Sequence, residues 1–230
     1  FPTRRSSDLL IFLDAILIFM GGIIGTGHHW YFSGMTQPNM MLSSCFSALE
    51  VVPLVVLCVE AWSFRKTALL GPDQTMAKKF YWPLMFMLGV GFWNFIGAGV
   101  LGFLINMPIV SYFEVGTYLT SNHGHAAMFG VFGMLSLALC LMVLRESASD
   151  EVWAKAEKWI KCSFWGLNIG LMLMLVLSLM PAGFLQLWDV FSSGYWHARS
   201  VEFTNSGLLS FFGYFRMPGD LVFIFFGAIP

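Results

Sequence analysis

Charged residues are scarce in this sequence. Asp, Glu, Lys and Arg make up 11% of its 230 residues, and 12 basic side chains against 13 acidic ones leave a formal net charge of -1. No basic field exists to hold a nucleic acid or an acidic protein, so both partners are excluded. Cysteine is sparse too. Cys45, Cys58, Cys140 and Cys162 form no CxxC pair and have no zinc-ligand spacing. They read as small apolar packing residues. What the sequence has in abundance is apolar surface: 57% hydrophobic, 17% aromatic, mean hydropathy +0.73. A chain of that composition does not dissolve in water and is expected to be an integral membrane protein.

A bilayer core of about 30 Å needs about 20 apolar residues of helix. Six such runs are found: Leu9 to Gly27, Met41 to Trp62, Phe80 to Ile105, His123 to Leu144, Trp159 to Met180, and Pro218 to Pro230. The fold class is therefore all-α and polytopic. The stretch between Pro181 and Met217 carries Trp188, Tyr195, Trp196 and several Phe, a composition suited to the membrane interface. Lys and Arg gather after the second run (Arg65, Lys66, Lys78, Lys79) and around the connection between the fourth and fifth (Arg145, Lys155, Lys158, Lys161). Residues 28–40 and 106–122 have none, so the histidine-bearing ends are expected to face away from the cytoplasm. The first eight residues, FPTRRSSD, bear no relation to the run they abut and read as an artefactual or unrelated N-terminus, translated sequencing adapter, with 9–230 as an internal piece of a longer chain.

Ionisable groups inside a span cost a few kcal/mol each on insertion scales and are usually there to bind, relay or pair. Here they are Asp14, Glu50, Glu60 and two histidine pairs, His28-His29 and His123-Gly124-His125. On a helix, residues i and i+2 are separated by about 200°, so the imidazoles of His123 and His125 leave opposite faces. That spacing is wrong for one shared ion and right for two irons flanking one helix. Gly124 removes a side chain where two planar groups would crowd the backbone. Either pair alone would read as interfacial histidines. Four of five histidines at one depth favour a metal reading, neutral imidazole suiting iron, copper or zinc. Glu50, nine residues into its run, reaches the same layer, to ligate a metal, carry protons or sit protonated. Glu60 reads as a solvated ion pair with Arg65 and Lys66. Gly97, Gly99, Gly102, Gly166 and Gly170 read as close helix packing. In GYWHARS, Arg199 reads either as an interfacial anchor or as a partner for carboxylates such as haem propionates.

The blocks GTGHHWYFSG, CFSALEVVPL, NFIGAGVLGFLINMPIVSYFE, TSNHGHAAMFGVFGM and GYWHARSVEF, in that order, resemble the large subunit of bacterial nitric oxide reductase, in the haem-copper oxidase superfamily. The resemblance runs from about Leu9 to Pro230. It implies the last six helices of a twelve-helix core, two haems b and a non-haem iron. It makes His28 and His29 ligands of the non-haem iron, with Glu50 lining the binuclear site and taking part in proton delivery. It makes His123 the proximal ligand of the high-spin haem and His125 an axial ligand of the low-spin haem. The remaining ligands would lie upstream, so the 230 residues alone are expected to be inactive.

The reaction implied joins two NO molecules to N2O and water with two electrons and two protons. The VEAW sequence after SALEVVPL resembles the quinol-oxidising branch more than the cytochrome c-linked one. A cbb-type oxygen reductase would share HH and HGH but fits Glu50 and GYWHARS less well. A proton-coupled transporter using Asp14, Glu50 and Glu60 would predict internal repeats, and none is visible. A cofactor-free structural subunit leaves the four histidines unexplained.

Overall fold

The computed structural model describes residues 4–56, 59, 62 and 74–229. These residues are overwhelmingly helical, and six helices are long and apolar enough to cross a membrane: Ile11–Trp30, Gln37–Val56, Tyr81–Asn106, Tyr118–Ser147, Asp150–Ser192 and Gly207–Ala228. They are called the first to sixth spans below. Glu60, Arg65 and Lys66 fall outside the described residues, as does Cys58.

The first two spans run antiparallel through matched small residues. A Cβ on Gly21 would collide with the Glu50 side chain, one on Gly25 with Ser47 and one on Gly27 with Ser43. This pairing lets two backbones approach where lipid offers no hydrophobic drive to associate. Ser43 Oγ completes it by donating to the carbonyl of Ile24. The same device joins the fifth and sixth spans, where Gly166 faces Phe226 and Gly170 faces Phe223. Gly97 lets the third span meet Ala126 of the fourth.

The buried core lies among the third, fourth and fifth spans, around Phe86, Trp93, Ala126, Met134, Phe164, Leu167 and Leu171. Trp93 is fully buried, and its Nε1 donates to Asn168 Oδ1 at 2.9 Å, satisfying the one polar atom the ring brings inside. At the opposite end from the histidines the basic loops come together: Lys79 pairs with Glu146 at 2.9 Å, and Arg145 donates to Asp150 and to the carbonyl of Lys79. Ser149 caps the fifth span, with Asp150 and Glu151 in its first turn favouring the positive end of the helix.

Two sequence expectations change here. Apolar length alone ended the fifth span at Met180, whereas the helix continues to Ser192, a span of 43 residues. A wide, i to i+5 bonded stretch over Met174–Leu179 precedes Pro181, which sits in the first turn of the segment that follows. Such a turn re-satisfies the groups a proline would orphan, so the helix passes through it. Likewise the sixth span begins at Gly207 and not at Pro218. The cysteines do not behave as core packing: Cys45 and Cys140 are exposed, Cys162 is half-buried, and all three are free thiols.

Candidate redox site

The fourth span opens at Tyr118, with Thr117 capping it by accepting from the Leu119 amide, so the HGH motif lies a full turn inside the helix. His123 turns towards the third span and donates Nδ1–H to the carbonyl of Gly97 at 2.8 Å. Its Nε2 is thereby the bare nitrogen. A carbonyl holding the other ring nitrogen is the arrangement that orients a metal-ligating imidazole. Gly102 leaves room for the ring: a Cβ there would stand 2.9 Å from His123 Cε1.

His125 leaves the other side of the helix. Its Nδ1 donates to the carbonyl of Ser121 at 2.8 Å, and its Nε2 accepts from Arg216 of the sixth span at 3.1 Å. Arg216 is in turn paired with Asp220 at 3.3 Å. An iron at His125 Nε2 would displace the guanidinium. Between the two histidines, the position of a Cβ on Gly124 has no neighbour within 4 Å.

His28 and His29 sit in a tight helical turn, Gly25–Trp30, that ends the first span, their rings 3.9 Å apart. His28 gives Nδ1–H to the carbonyl of Gly25, again leaving Nε2 bare. Glu50 lies where the second span continues past Leu49, its side chain against Gly21. A cavity of about 690 Å³ gathers His28, His29, Glu50 and His123, with Asn94, Asn106 and Gly102 also in its wall. That volume is of the size that holds a bound small molecule or cofactor. The donor set fits haem and iron chemistry at the level of single ligands, since two imidazoles are fixed in the tautomer that exposes Nε2. Among the described residues no three His, Cys, Asp or Glu side chains converge on one ion position. Asp14 lies in the helix of the first span.

Arg199 is committed to the backbone. Nη1 donates to the carbonyl of Tyr195, Nη2 to those of Phe113 and Val115, and the guanidinium lies 3.6 Å from the Tyr195 ring centroid. Nε alone is buried without a partner. Beside it is a group not anticipated from the sequence. Glu114, at the end of the short helix Pro108–Glu114, is buried and accepts from Thr120 Oγ1 at 2.7 Å. Burial pushes its carboxyl up to about 7, against the lowering influence of Thr120 and Arg199. The available signal was that Glu114 is the lone charged residue in 106–122. Nearby, buried Asp189 pairs with His197 at 2.6 Å, and Gln186 ties Tyr118 to Ala198.

Six helices long and apolar enough to cross a membrane, with His28, His29 and His123 in the wall of one cavity, are the frame of a multi-pass membrane protein. The chain belongs to the cytochrome c and quinol oxidase polypeptide I family, whose pattern matches residues 3–222. It is also similar to a nitric oxide reductase subunit of Stutzerimonas stutzeri, with 28% identity over 191 residues, or 80% of this chain. The chain spans 38% of the length of that relative.

Proposed function

We propose that this chain forms part of a respiratory nitric oxide reductase of the bacterial inner membrane, which converts two NO, two electrons and two protons to N2O and water with quinol as donor. The observation that carries the reading is the single cavity shared by His28, His29, His123 and Glu50. The similarity to a nitric oxide reductase subunit supports it.

His123 would hold the iron of a high-spin haem b through Nε2, with Gly97 fixing the ring. His125, on the other side of the same helix, would hold a low-spin haem b, and the short path through one helix suits electron transfer between them. His28 and His29 would hold a non-haem iron, with remaining ligands supplied from outside these 230 residues. The metals, when bound, would pass on the electrons of the quinol donor and activate NO. The chain's own residues orient them, exclude bulk water and deliver protons. Glu50 places a carboxyl in the cavity wall, where it can hold a proton or ligate the non-haem iron. Arg199, read from the sequence as a partner for haem propionates, has only a buried Nε left once Nη1 and Nη2 hold backbone carbonyls. The histidine-bearing end would face the periplasm, because the Lys- and Arg-rich loops cluster at the other.

The test is a reduced-minus-oxidised optical spectrum of membranes expressing the full-length gene, before and after NO, with His123→Ala and His125→Ala variants. Two b-type haems are expected, His125→Ala removing the low-spin one and His123→Ala the high-spin one that responds to NO. A protein that binds no haem, or in which both variants keep both spectra, would overturn the assignment.

A further inference from the structure

Glu114 is the last residue of the short helix Pro108–Glu114 between the third and fourth spans, at the end of the bundle that carries the histidines. It is 3% exposed, while Tyr112 and Gly116, two residues away on either side, are exposed. Inward, it is joined to the helix of the redox site. Thr120 Oγ1 donates to Glu114 and accepts from the Gly116 amide at 3.2 Å, which fixes the hydroxyl. Thr120 precedes His123 by three residues, hence on nearly the same helix face and about 4.5 Å along the axis. His123 and Asn106 both line the cavity.

A purely structural carboxylate beside Arg199 would form an ion pair, and among the described residues Glu114 forms none. The Arg199 nitrogens go instead to the carbonyls of Phe113, Val115 and Tyr195, which shape the loop around Glu114 without neutralising it. The other titratable groups close by are the Tyr195 and Tyr112 hydroxyls, while the fifth span, packed against the same short helix, contributes Asp189, already held by His197. Such an acid, desolvated, hydroxyl-bonded and poised near neutrality, has the properties of a group that exchanges protons.

We propose that Glu114 is the proton-loading carboxyl of the cavity, taking protons from water at the histidine-bearing end and passing them inward along Thr120 towards His123. This rests on the proposed function. In each cycle the carboxylate binds one proton from outside and releases it inward, returning to the carboxylate. Two passages supply the two protons consumed per N2O, and no electron moves through the residue.

The experiment uses membranes of the full-length protein with Glu114→Gln, Glu114→Asp and Thr120→Val. Optical spectra report haem content, infrared difference spectra report the protonated carboxyl, and NO consumption is followed from about pH 6 to about pH 8.5. In the unsubstituted protein the rate falls as pH rises through about 7. Glu114→Gln keeps both haem spectra, loses one carboxyl band, and slows turnover on the order of tenfold with that limb removed. Glu114→Asp retains a displaced limb. Full rate with an unchanged pH profile in Glu114→Gln would overturn the proposal. Should Glu114→Gln fail to accumulate, an unchanged profile in Thr120→Val overturns it equally. If the carboxyl band titrates but the unsubstituted protein consumes no NO, the functional reading falls and the carboxyl stands as a proton-binding group without that reaction.

Discussion

His123 donates its Nδ1–H to the carbonyl of Gly97 at 2.8 Å, so a residue of the third span decides which nitrogen of a fourth-span imidazole is left bare. The glycine-rich segment 97–102 thus does more than bring helices together. Gly97 admits Ala126 and supplies the acceptor, and Gly102 leaves the space the ring occupies.

Gly102→Ala should therefore disturb the site without touching a ligand. Its Cβ would stand 2.9 Å from His123 Cε1, so the ring that Gly97 holds must shift to relieve it. Loss of such an orienting contact typically weakens metal binding on the order of tenfold or more. Haem titration of membranes from the full-length gene should show weaker high-spin haem binding with the low-spin haem retained. Equal binding of both would contradict the role given to Gly102.

Arg216 offers a second handle on the same motif. It donates to His125 Nε2 at 3.1 Å, the atom assigned to the low-spin iron, and iron must move it aside but not far. A cation beside a haem favours the reduced form, so Arg216→Leu is expected to lower the midpoint potential of the low-spin haem. Redox titration checks this, and an unchanged potential would mean that the guanidinium swings clear of the site.

Asn168 should matter for stability alone. Its Oδ1 accepts from Trp93 Nε1 at 2.9 Å in the centre of the bundle, while its amide donates to Phe164 at 2.7 Å. Asn168→Leu strands the indole N–H in an apolar core, at a cost of about 1–3 kcal/mol. Thermal unfolding in detergent should show a lowered Tm with haem spectra otherwise intact.

Glu114 also links stability to pH. Its carboxyl titrates near 7 in the folded chain, against 4.5 for the free group, so the folded state binds the extra proton between those values. The contribution of Glu114 to stability is then largest below about 4.5, declines as pH rises to about 7, and is flat beyond. At about 1.4 kcal/mol per unit the loss approaches roughly 3 kcal/mol, an upper bound given relaxation on ionisation. Glu114→Gln should abolish this slope, and Tm measured at about pH 5 and about pH 8 reads it directly. An equal slope in both proteins would place the titration elsewhere.

Hydropathy made the six spans legible in the sequence, because a bilayer demands about 20 apolar residues whatever they pack against. It could not find the true ends of the fifth and sixth. Whether Pro181 breaks or merely bends a helix depends on a wide turn three-dimensional packing permits. The four histidines and Glu50 stood out by the cost of polar groups in lipid, and the 200° offset within HGH follows from helix geometry alone. Glu114 and Arg216 did not stand out. Nothing in a linear sequence says that Glu114 is buried or that Arg216 reaches His125. Local chemistry and helical period determined which residues this protein holds at membrane depth. Only the tertiary structure decided which of their nitrogens stay bare, which carboxyl loses its water and what each meets, because desolvation and hydrogen bonding depend on neighbours distant in the chain.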